Sequence, residues 1–293
     1  CVLKPVKVVP NTTERSRTPS FVVLCEVYDC EGNPHETNTR ALLRSTIEET
    51  ELEDMWFGTE QEYTIVDPTT GNPVGWSDYN EETPPPQGKY YCGVGSDVVR
   101  GRDLAETHSM ACHGAGIGID GTNAEVMLSQ WEYQTEAKPA LEAADDLWIS
   151  RFFLQRVAER MGIAISYDPK PVEGNWNGSG AHINFSTKYM REHADVDYMN
   201  VICASMEKYH DESIACYGSD NDKRLTGKHE TSSIDNFTWG EMDRDASIRI
   251  PLSTINNDGK GHLEDRRPAA IVKPYEAFNS LVNITNTINE ELL

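Results

Sequence analysis

Two carboxylates stand two residues apart in FGTEQEYTIVD (57–67), at Glu60 and Glu62. The aromatic and β-branched neighbours predict a strand, in which side chains at i and i+2 project from one face about 7 Å apart. Two unpaired acids on a half-buried face would repel each other and lose hydration. A solvated face is the alternative, and one acidic pair does not decide between them.

Further chemistry-bearing residues lie in strand-like settings. Glu125 and Glu132 belong to NAEVMLSQWEYQ (123–134), His182 to AHINFS (181–186) and Glu264 to HLEDRRPAA (262–270). Taken alone, His182 is more simply explained as a hydrogen-bonded core histidine. Taken together, the six residues indicate ligands for hard divalent cations, Mg²⁺ or Mn²⁺, which favour oxygen and tolerate an occasional nitrogen.

Arginines complement these acids in the last third of the chain, at Arg224, Arg244, Arg249, Arg266 and Arg267. Guanidinium groups bind phosphate or carboxylate in a bidentate manner, although one or two of the five are expected to form ordinary salt bridges. Cations and arginines around an anion are typical of phosphoryl transfer. The Gly/Asn-rich stretch GNWNGSGAH (174–182) leads into the His182 strand, where its backbone could approach a ligand closely.

Composition limits the alternatives. The chain has 293 residues and 26 Lys and Arg against 48 Asp and Glu, a formal charge of −22 that disfavours nucleic acid and anionic membranes as partners. The acidic surface suits a cytoplasmic protein, and seven cysteines without a C-x-x-C pair indicate reduced thiols. The start at Cys1 and the end inside a helical pattern lead us to expect part of a longer protein.

A glycine motif at 116–121, GIGIDG, matches the dinucleotide fingerprint G-x-G-x-x-G. It follows a predicted helix and leads into a predicted strand, the reverse of the order that directs phosphates to a helix N-terminus. We therefore interpret it as a turn between a helix and a strand.

Strands and helices alternate without a strict βαβ rhythm, which predicts an α+β fold. Hydrophobic periodicity predicts helices at 37–49, 99–115, 140–160 and 196–216 and from residue 274 onward. Besides the strands named above, it predicts strands at 2–9, 21–29, 163–169 and 246–252. Prolines in NEETPPPQG (80–88) predict a loop.

Many of these stretches, in their order and spacing, resemble glutamine synthetase of the type II, eukaryotic-like class: WFGTEQEY, YYCGVGSD, GTNAEVMLSQWEYQ, YDPKP, NWNGSGAHINFST, RLTGKHETSS, ASIRIP and LEDRRP. The resemblance implies a catalytic domain at 38–293, an antiparallel β-sheet funnel flanked by helices. Residues 1–37 would be the tail of a small N-terminal β-grasp domain. The implied activity is ATP-dependent ligation of ammonia to glutamate through γ-glutamyl phosphate.

The resemblance also implies a role for each matching residue. Glu62, Glu125 and Glu132 would hold one cation, and Glu60, His182 and Glu264 the other. Arg224, Asn177, Gly178 and Glu132 would bind glutamate, Arg266 would act on the transferred phosphoryl group, and Glu230 would close the site and help to deprotonate ammonium. The ATP contacts would be Trp56, Asn184, Ser186, Arg244, Arg249 and His262.

The sequence departs from the family pattern at one ATP contact, and the family pattern includes an acid outside this sequence. His262 stands where the family often has a tyrosine against adenine, and an ammonium-binding acid of the β-grasp domain would have to precede Cys1. The implied assembly is a homo-oligomer of two stacked rings, a decamer, with active sites between subunits. A non-catalytic ring subunit and a ligase joining glutamate to another amine are the alternatives.

Overall fold

The computed structural model describes residues 1–14, 18–50, 52–79 and 83–292. Its helices are α1 (Thr39–Thr50), α2 (Arg102–Gly114), α3 (Ala140–Met161), α4 (Lys188–Glu192), α5 (Val196–Met206), α6 (His210–Cys216), α7 (Leu252–Asn256) and α8 (Pro274–Leu292). Its strands are β1 (Val2–Pro10), β2 (Phe21–Tyr28), β3 (Trp56–Val66), β4 (Ile119–Ala124), β5 (Gln130–Thr135), β6 (Lys138–Pro139), β7 (Ala164–Ser166), β8 (Ala181–Ser186), β9 (Trp239–Glu241), β10 (Ile248–Ile250) and β11 (Leu263–Asp265).

One large sheet positions the candidate site. Within the described residues it has nine strands in the order β4-β5-β3-β8-β11-β10-β9, while β6 and β7 also pair with β3. Every pairing is antiparallel except that of β9 with β10, which is parallel. The sheet is therefore mixed, and the predicted purely antiparallel sheet is wrong at this edge.

Strand β3 lies near the middle of this sheet, and helices cover the face of β3 that carries Phe57, Tyr63 and Ile65. Phe57 stacks on Phe278 of α8 with ring centroids 4.3 Å apart, and all four of these side chains are almost fully buried. Tyr63 and Ile65 pack in a second apolar cluster with Phe153 of α3. Apolar burial at about 25 cal/mol per Å² anchors the strand from behind.

Strands β1 and β2 form a separate two-stranded antiparallel sheet. The assignment of residues 1–37 to a β-grasp domain, and the boundary with residues 38–293, remain predictions. No helix in the part of the chain that the structure describes is long and apolar enough to cross a membrane.

Two predicted elements are interrupted in the structure. The predicted strand at 123–134 breaks between β4 and β5, so that Glu125 lies in the connecting turn. Met127 and Leu128 of this turn are buried against Tyr90 and Trp176, which explains its strand-like composition. The predicted helix at 196–216 comprises α5 and α6 joined by one 3₁₀ turn, Glu207–Tyr209.

The remaining helix predictions and the interpretation of GIGIDG are confirmed. Residues 116–118 connect α2 to β4, as expected for a turn between a helix and a strand. Residues 80–82 of the predicted loop NEETPPPQG lie outside the described residues.

Candidate functional site

The alternation of side chains along β3 brings acids of β3 and β5 together with His182 of β8. Glu62 is paired with Glu132 of β5, and Glu60 lies between Gln134 of β5 and His182 of β8. Since cross-strand partners share a face, these side chains project toward one surface of the sheet. The predicted placement of Glu60 and Glu62 on one strand face is confirmed.

The first group of candidate ligands consists of Glu62, Glu125 and Glu132, which offer carboxylate oxygens within 4.8 Å of one another. Glu62 accepts hydrogen bonds from the Gly180 amide at 2.7 Å and from Gln130 at 3.1 Å. Each donor is neutral and orients the carboxylate without cancelling its charge. The turn that removes Glu125 from the predicted strand still delivers it to this group.

The pKa values of Glu125 and Glu132 reflect burial and the crowding of like charges. Burial, and then the charge of Glu62, raises the pKa of Glu125 to about 8. Burial also raises the pKa of Glu132 well above its usual value, and Glu60, Glu125 and Glu62 add to the shift. A divalent cation among the three carboxylates would remove this repulsion, and oxygen donors suit Mg²⁺ and Mn²⁺.

A second group combines Glu60, Glu132 and His182, again with ligand atoms within 4.8 Å. Glu132 therefore belongs to both groups. His182 Nδ1 lies 3.3 Å from Glu60 and 3.3 Å from Glu264, so that the predicted set Glu60, His182 and Glu264 is also contiguous. Arg224 lies 3.1 Å from His182 Nε2. Burial and the charge of Arg266 lower the pKa of His182, but its hydrogen bonds with Glu264 and Glu60 outweigh them and raise the pKa to about 9.

Glu264 differs from the other acids because arginines bind it directly. Its side chain is fully buried, and it accepts a hydrogen bond from Arg266 at 2.7 Å and forms an ion pair with Arg249. Burial raises the pKa of Glu264, but the hydrogen bond with His182 and the charge of Arg266 outweigh it and lower the pKa overall. The structure thus places Glu264 next to the second group with its charge already compensated.

Four of the five candidate arginines line the same pocket: Arg224, Arg244, Arg249 and Arg266. Arg267 is the exception, because alternation along the end of β11 turns it away. Its guanidinium binds Asp265 at 2.7 Å in a fully buried ion pair. The expectation that one or two arginines form ordinary salt bridges is confirmed at this residue.

The glycine-rich stretch lets its backbone approach Arg224. A Cβ at Gly178 would lie 2.7 Å from the Pro169 carbonyl oxygen and 2.6 Å from Arg224 Cγ, and one at Gly180 would lie 2.5 Å from the Arg224 guanidinium. The backbone oxygen leaves no room for a side chain at Gly178, whereas a side chain at Gly180 would require the Arg224 guanidinium to move. Asn177, adjacent to Gly178, accepts a hydrogen bond from Gln87 at 2.9 Å and lines the pocket.

A strained turn closes one side of the pocket. His229 and Glu230 both have positive φ values, 58° and 60°, which non-glycine residues rarely adopt. The Glu230 carbonyl accepts from Arg266 at 3.4 Å, and its carboxylate lies 3.9 Å from Arg244. The pocket has a volume of about 280 Å³ and contains all six predicted cation ligands except Glu264.

A neighbouring pocket of about 330 Å³ shares Glu60 and Gln134 with the first. It collects the predicted ATP contacts that the first pocket lacks, namely Trp56, Asn184, Ser186 and His262. Arg191 also lines it, with its guanidinium 4.6 Å from the centre of the Trp56 ring and a 2.8 Å hydrogen bond to the Ser186 carbonyl.

Sequence reasoning missed several neutral residues of the first pocket and Arg191 of the second. The missed residues of the first pocket include Tyr91, Asn123, Gln130, Gln134 and Thr231. Gln130 and Gln134 lie two residues before and after Glu132 on β5. The same i, i+2 spacing that placed Glu60 and Glu62 on one face would therefore have placed both glutamines beside Glu132. Arg191 lies outside the last third of the chain, to which the arginine argument was confined.

A mixed sheet with carboxylates and arginines converging on one pocket defines a domain equipped to bind cations together with anionic ligands. The family model described as "Glutamine synthetase, catalytic domain" matches residues 33–285. The chain therefore belongs to the glutamine synthetase family, as the sequence resemblance predicted.

Named relatives agree with this assignment. "Glutamine synthetase 1, mitochondrial" of Drosophila melanogaster is 46% identical over 273 residues, which cover 92% of this chain and 67% of that protein. "Glutamine synthetase, chloroplastic" of Chlamydomonas reinhardtii is 47% identical over 96% of this chain and 73% of its own length. "Glutamine synthetase" of Fusarium solani subsp. phaseoli is 45% identical over 97% of this chain and 78% of its own length.

Proposed function

We propose that this chain ligates ammonia to glutamate with ATP and forms glutamine, ADP and phosphate. The observation that carries the proposal is the convergence of carboxylates, His182 and four arginines on one pocket in a member of the glutamine synthetase family. The non-catalytic and amine-ligase alternatives are not favoured, because the relatives described above are all named glutamine synthetase.

Membership of this family implies the use of ATP and a divalent metal. Glu62, Glu125 and Glu132 would hold one cation, and Glu60 and His182 would hold a second with Glu132 or Glu264. The raised pKa values of Glu125 and Glu132 support this fit, because the hydrogen bonds of these two acids with the described residues come from neutral groups. Bound Mg²⁺ or Mn²⁺ would supply Lewis-acid polarisation and neutralise phosphate charge.

The arginines then act on the transferred group. A γ-carboxylate oxygen of glutamate attacks the γ-phosphorus of ATP, ADP leaves, and γ-glutamyl phosphate forms. Arg266, fixed by Glu264 and the Arg244 carbonyl at 3.1 Å, faces the transferred phosphoryl group, while Arg244 and Arg249 bind the nucleotide phosphates. Fixed positive groups stabilise the charge that develops in the transition state without reorganising.

Glutamate itself is bound by Arg224 and by the Asn177 and Gly178 stretch. Ammonia attacks the γ-carbon of the acyl phosphate, and phosphate leaves in place of an oxide ion. Glu230 accepts a proton from ammonium, and the strained turn that carries it closes the pocket against water. Trp56, Asn184, Ser186 and His262 bind the nucleoside half of ATP in the second pocket.

The proposal extends to the assembly and the cell. We infer a decamer of two stacked rings with active sites between subunits, a division into a β-grasp tail at 1–37 and a catalytic domain at 38–293, and a cytoplasmic location. These inferences rest on the family resemblance, and one relative is named "Glutamine synthetase 2 cytoplasmic".

An assay of phosphate release tests the activity. We expect release that requires ATP, a divalent cation, glutamate and ammonia together, with one glutamine formed per phosphate. Release that does not depend on ammonia, or that produces no glutamine, contradicts the proposal. Polyamines tested in place of ammonia distinguish the amine-ligase alternative.

A further inference from the structure

Gln61 separates the two acids of β3 and points the opposite way. Its side chain is fully buried on the helix-covered face, whereas Glu60 and Glu62 project toward the pocket. Gln61 Oε1 accepts two hydrogen bonds from Arg151 of α3, at 2.8 and 2.5 Å. Gln61 Nε2 donates to the carbonyls of Glu62 at 2.7 Å and Ala270 at 3.1 Å, so the amide is fully used.

Arg151 is buried, and none of its hydrogen-bond partners in the part of the chain that the structure describes is a counterion. Only 7% of the residue is exposed, and it donates to Gln61 and to the carbonyls of Ala270 at 3.0 Å and Val272 at 2.7 Å, all neutral oxygens. The buried Arg266 and Arg267 bind the carboxylates of Glu264 and Asp265, whereas Arg224, which lines the pocket, resembles Arg151 in donating to backbone carbonyls. Burial of a charge with neutral partners is costly, and an apolar residue would fill such a space at lower cost.

The carbonyls that Arg151 binds belong to the segment that leaves the site after Arg266. Ala270 N donates to the Ser179 carbonyl at 3.0 Å, and Ala181 N donates to the Pro268 carbonyl at 3.0 Å. The same stretch returns to β3, because Gly180 N binds the Glu62 carboxylate at 2.7 Å. Arg151 and Gln61 thus close a ring of contacts that joins β3, the glycine-rich stretch and the segment after β11.

We propose that Arg151, acting through Gln61, is a positioning residue that holds the acids of β3 at a fixed distance from the glutamate and phosphate-binding segments. The inference rests on the proposed function, since it concerns how the same site is assembled. The Arg151 guanidinium binds three oxygens on two segments at once, the side-chain oxygen of Gln61 and the carbonyls of Ala270 and Val272. A lysine ammonium on a flexible stem does not reproduce this geometry. Mutation of a residue that holds a metal ligand in place typically lowers metal affinity by about 10- to 100-fold.

The test replaces both members of the link together. Arg151→Met combined with Gln61→Leu exchanges the two side chains for apolar groups of similar size and leaves the Ala270 and Val272 carbonyls without these donors, which lowers stability. We expect a lowered melting temperature together with a Kd for Mn²⁺ raised about 10-fold in calorimetry and a raised KM for glutamate. Leu154→Ala, on the same helix, is the control that loses core packing and retains wild-type Mn²⁺ affinity.

Each outcome has a distinct meaning. A folded double variant with wild-type Mn²⁺ affinity and wild-type KM for glutamate overturns the positioning role while leaving the proposed function intact. A wild-type protein that binds no Mn²⁺ refutes the metal assignment and the inference with it. If the double variant fails to fold, Arg151→Lys makes the same comparison, with weakened Mn²⁺ binding expected and unchanged binding contradicting the role.

Discussion

The raised pKa of Glu125 gives a quantitative test of the electrostatics at the cation group. Burial and the charge of Glu62 raise this pKa from 4.5 to about 8. The metal-free folded state therefore binds a proton that the unfolded chain releases above pH 4.5. The corresponding stability is fully present below pH 4.5 and is lost as the pH rises through about 8.

Replacement of Glu125 by Gln removes this dependence. The wild-type protein loses about 1.4 kcal/mol of stability for each pH unit above the unfolded pKa, so that by pH 7 it has lost about 3 kcal/mol that the variant retains. Glu125 also accepts hydrogen bonds from Asn123 at 2.8 Å and Val126 N at 3.2 Å. A Gln side chain retains only one of these oxygens, which costs about 1 kcal/mol. We expect the metal-free Glu125→Gln variant to be more stable by about 2 kcal/mol at pH 7.

Urea unfolding in EDTA between pH 5 and 8 measures both the gain and its slope. The variant should lose less stability than the wild-type protein as the pH rises, and it should bind Mn²⁺ more weakly in calorimetry. Glu142→Gln, an exposed residue in the first turn of α3, is the matched control and should stay within about 0.5 kcal/mol of the wild type. A Glu125→Gln variant that is less stable at pH 7, with an unchanged pH slope, refutes the reasoning.

Three further predictions concern single residues of the two pockets. Glu62→Ala should weaken Mn²⁺ binding and abolish glutamine formation, and unchanged Mn²⁺ affinity in calorimetry contradicts its role. Gly178→Ala should raise the KM for glutamate at least several-fold, because its Cβ meets the Pro169 carbonyl oxygen at 2.7 Å; a wild-type KM shows that the backbone yields. Arg191→Ala should raise the KM for ATP and leave that for glutamate unchanged, since its guanidinium stacks 4.6 Å from the Trp56 ring centre; Arg191→Lys should be intermediate, and an equal rise for both substrates contradicts the assignment.

The sequence pattern predicted β3 and β8 well, because alternation and β-branched residues agree with their central positions in the sheet. It failed at Glu125, where Met127 and Leu128 make a turn look like a strand. These two residues are apolar because Tyr90 and Trp176 cover them, and such coverage comes from parts of the chain distant in sequence. Local periodicity contains no information on that contact.

Composition alone also could not predict that the adjacent Arg266 and Arg267 have different roles. Both residues were candidates for anion binding, and only their alternation after β11 sends one to the pocket and the other to Asp265. Three-dimensional register also determined that Glu132 belongs to both groups, since it pairs with Glu62 across the sheet while its oxygens approach those of Glu60 and His182.

Charge compensation differs between the two halves of the cation site. Burial raises the pKa of Glu60, but contacts with His182 and Asn184 and the charge of Arg249 outweigh it and lower the pKa to about 2. Around Glu125 the opposite holds, because burial and then the charge of Glu62 raise the pKa by more than its hydrogen bonds with neutral groups lower it. The half near β8 and β11 is therefore stable as a charged network without metal. The raised pKa values of Glu125 and Glu132 oppose full ionisation of these two acids until a cation joins them, which links cation binding to folding at this group.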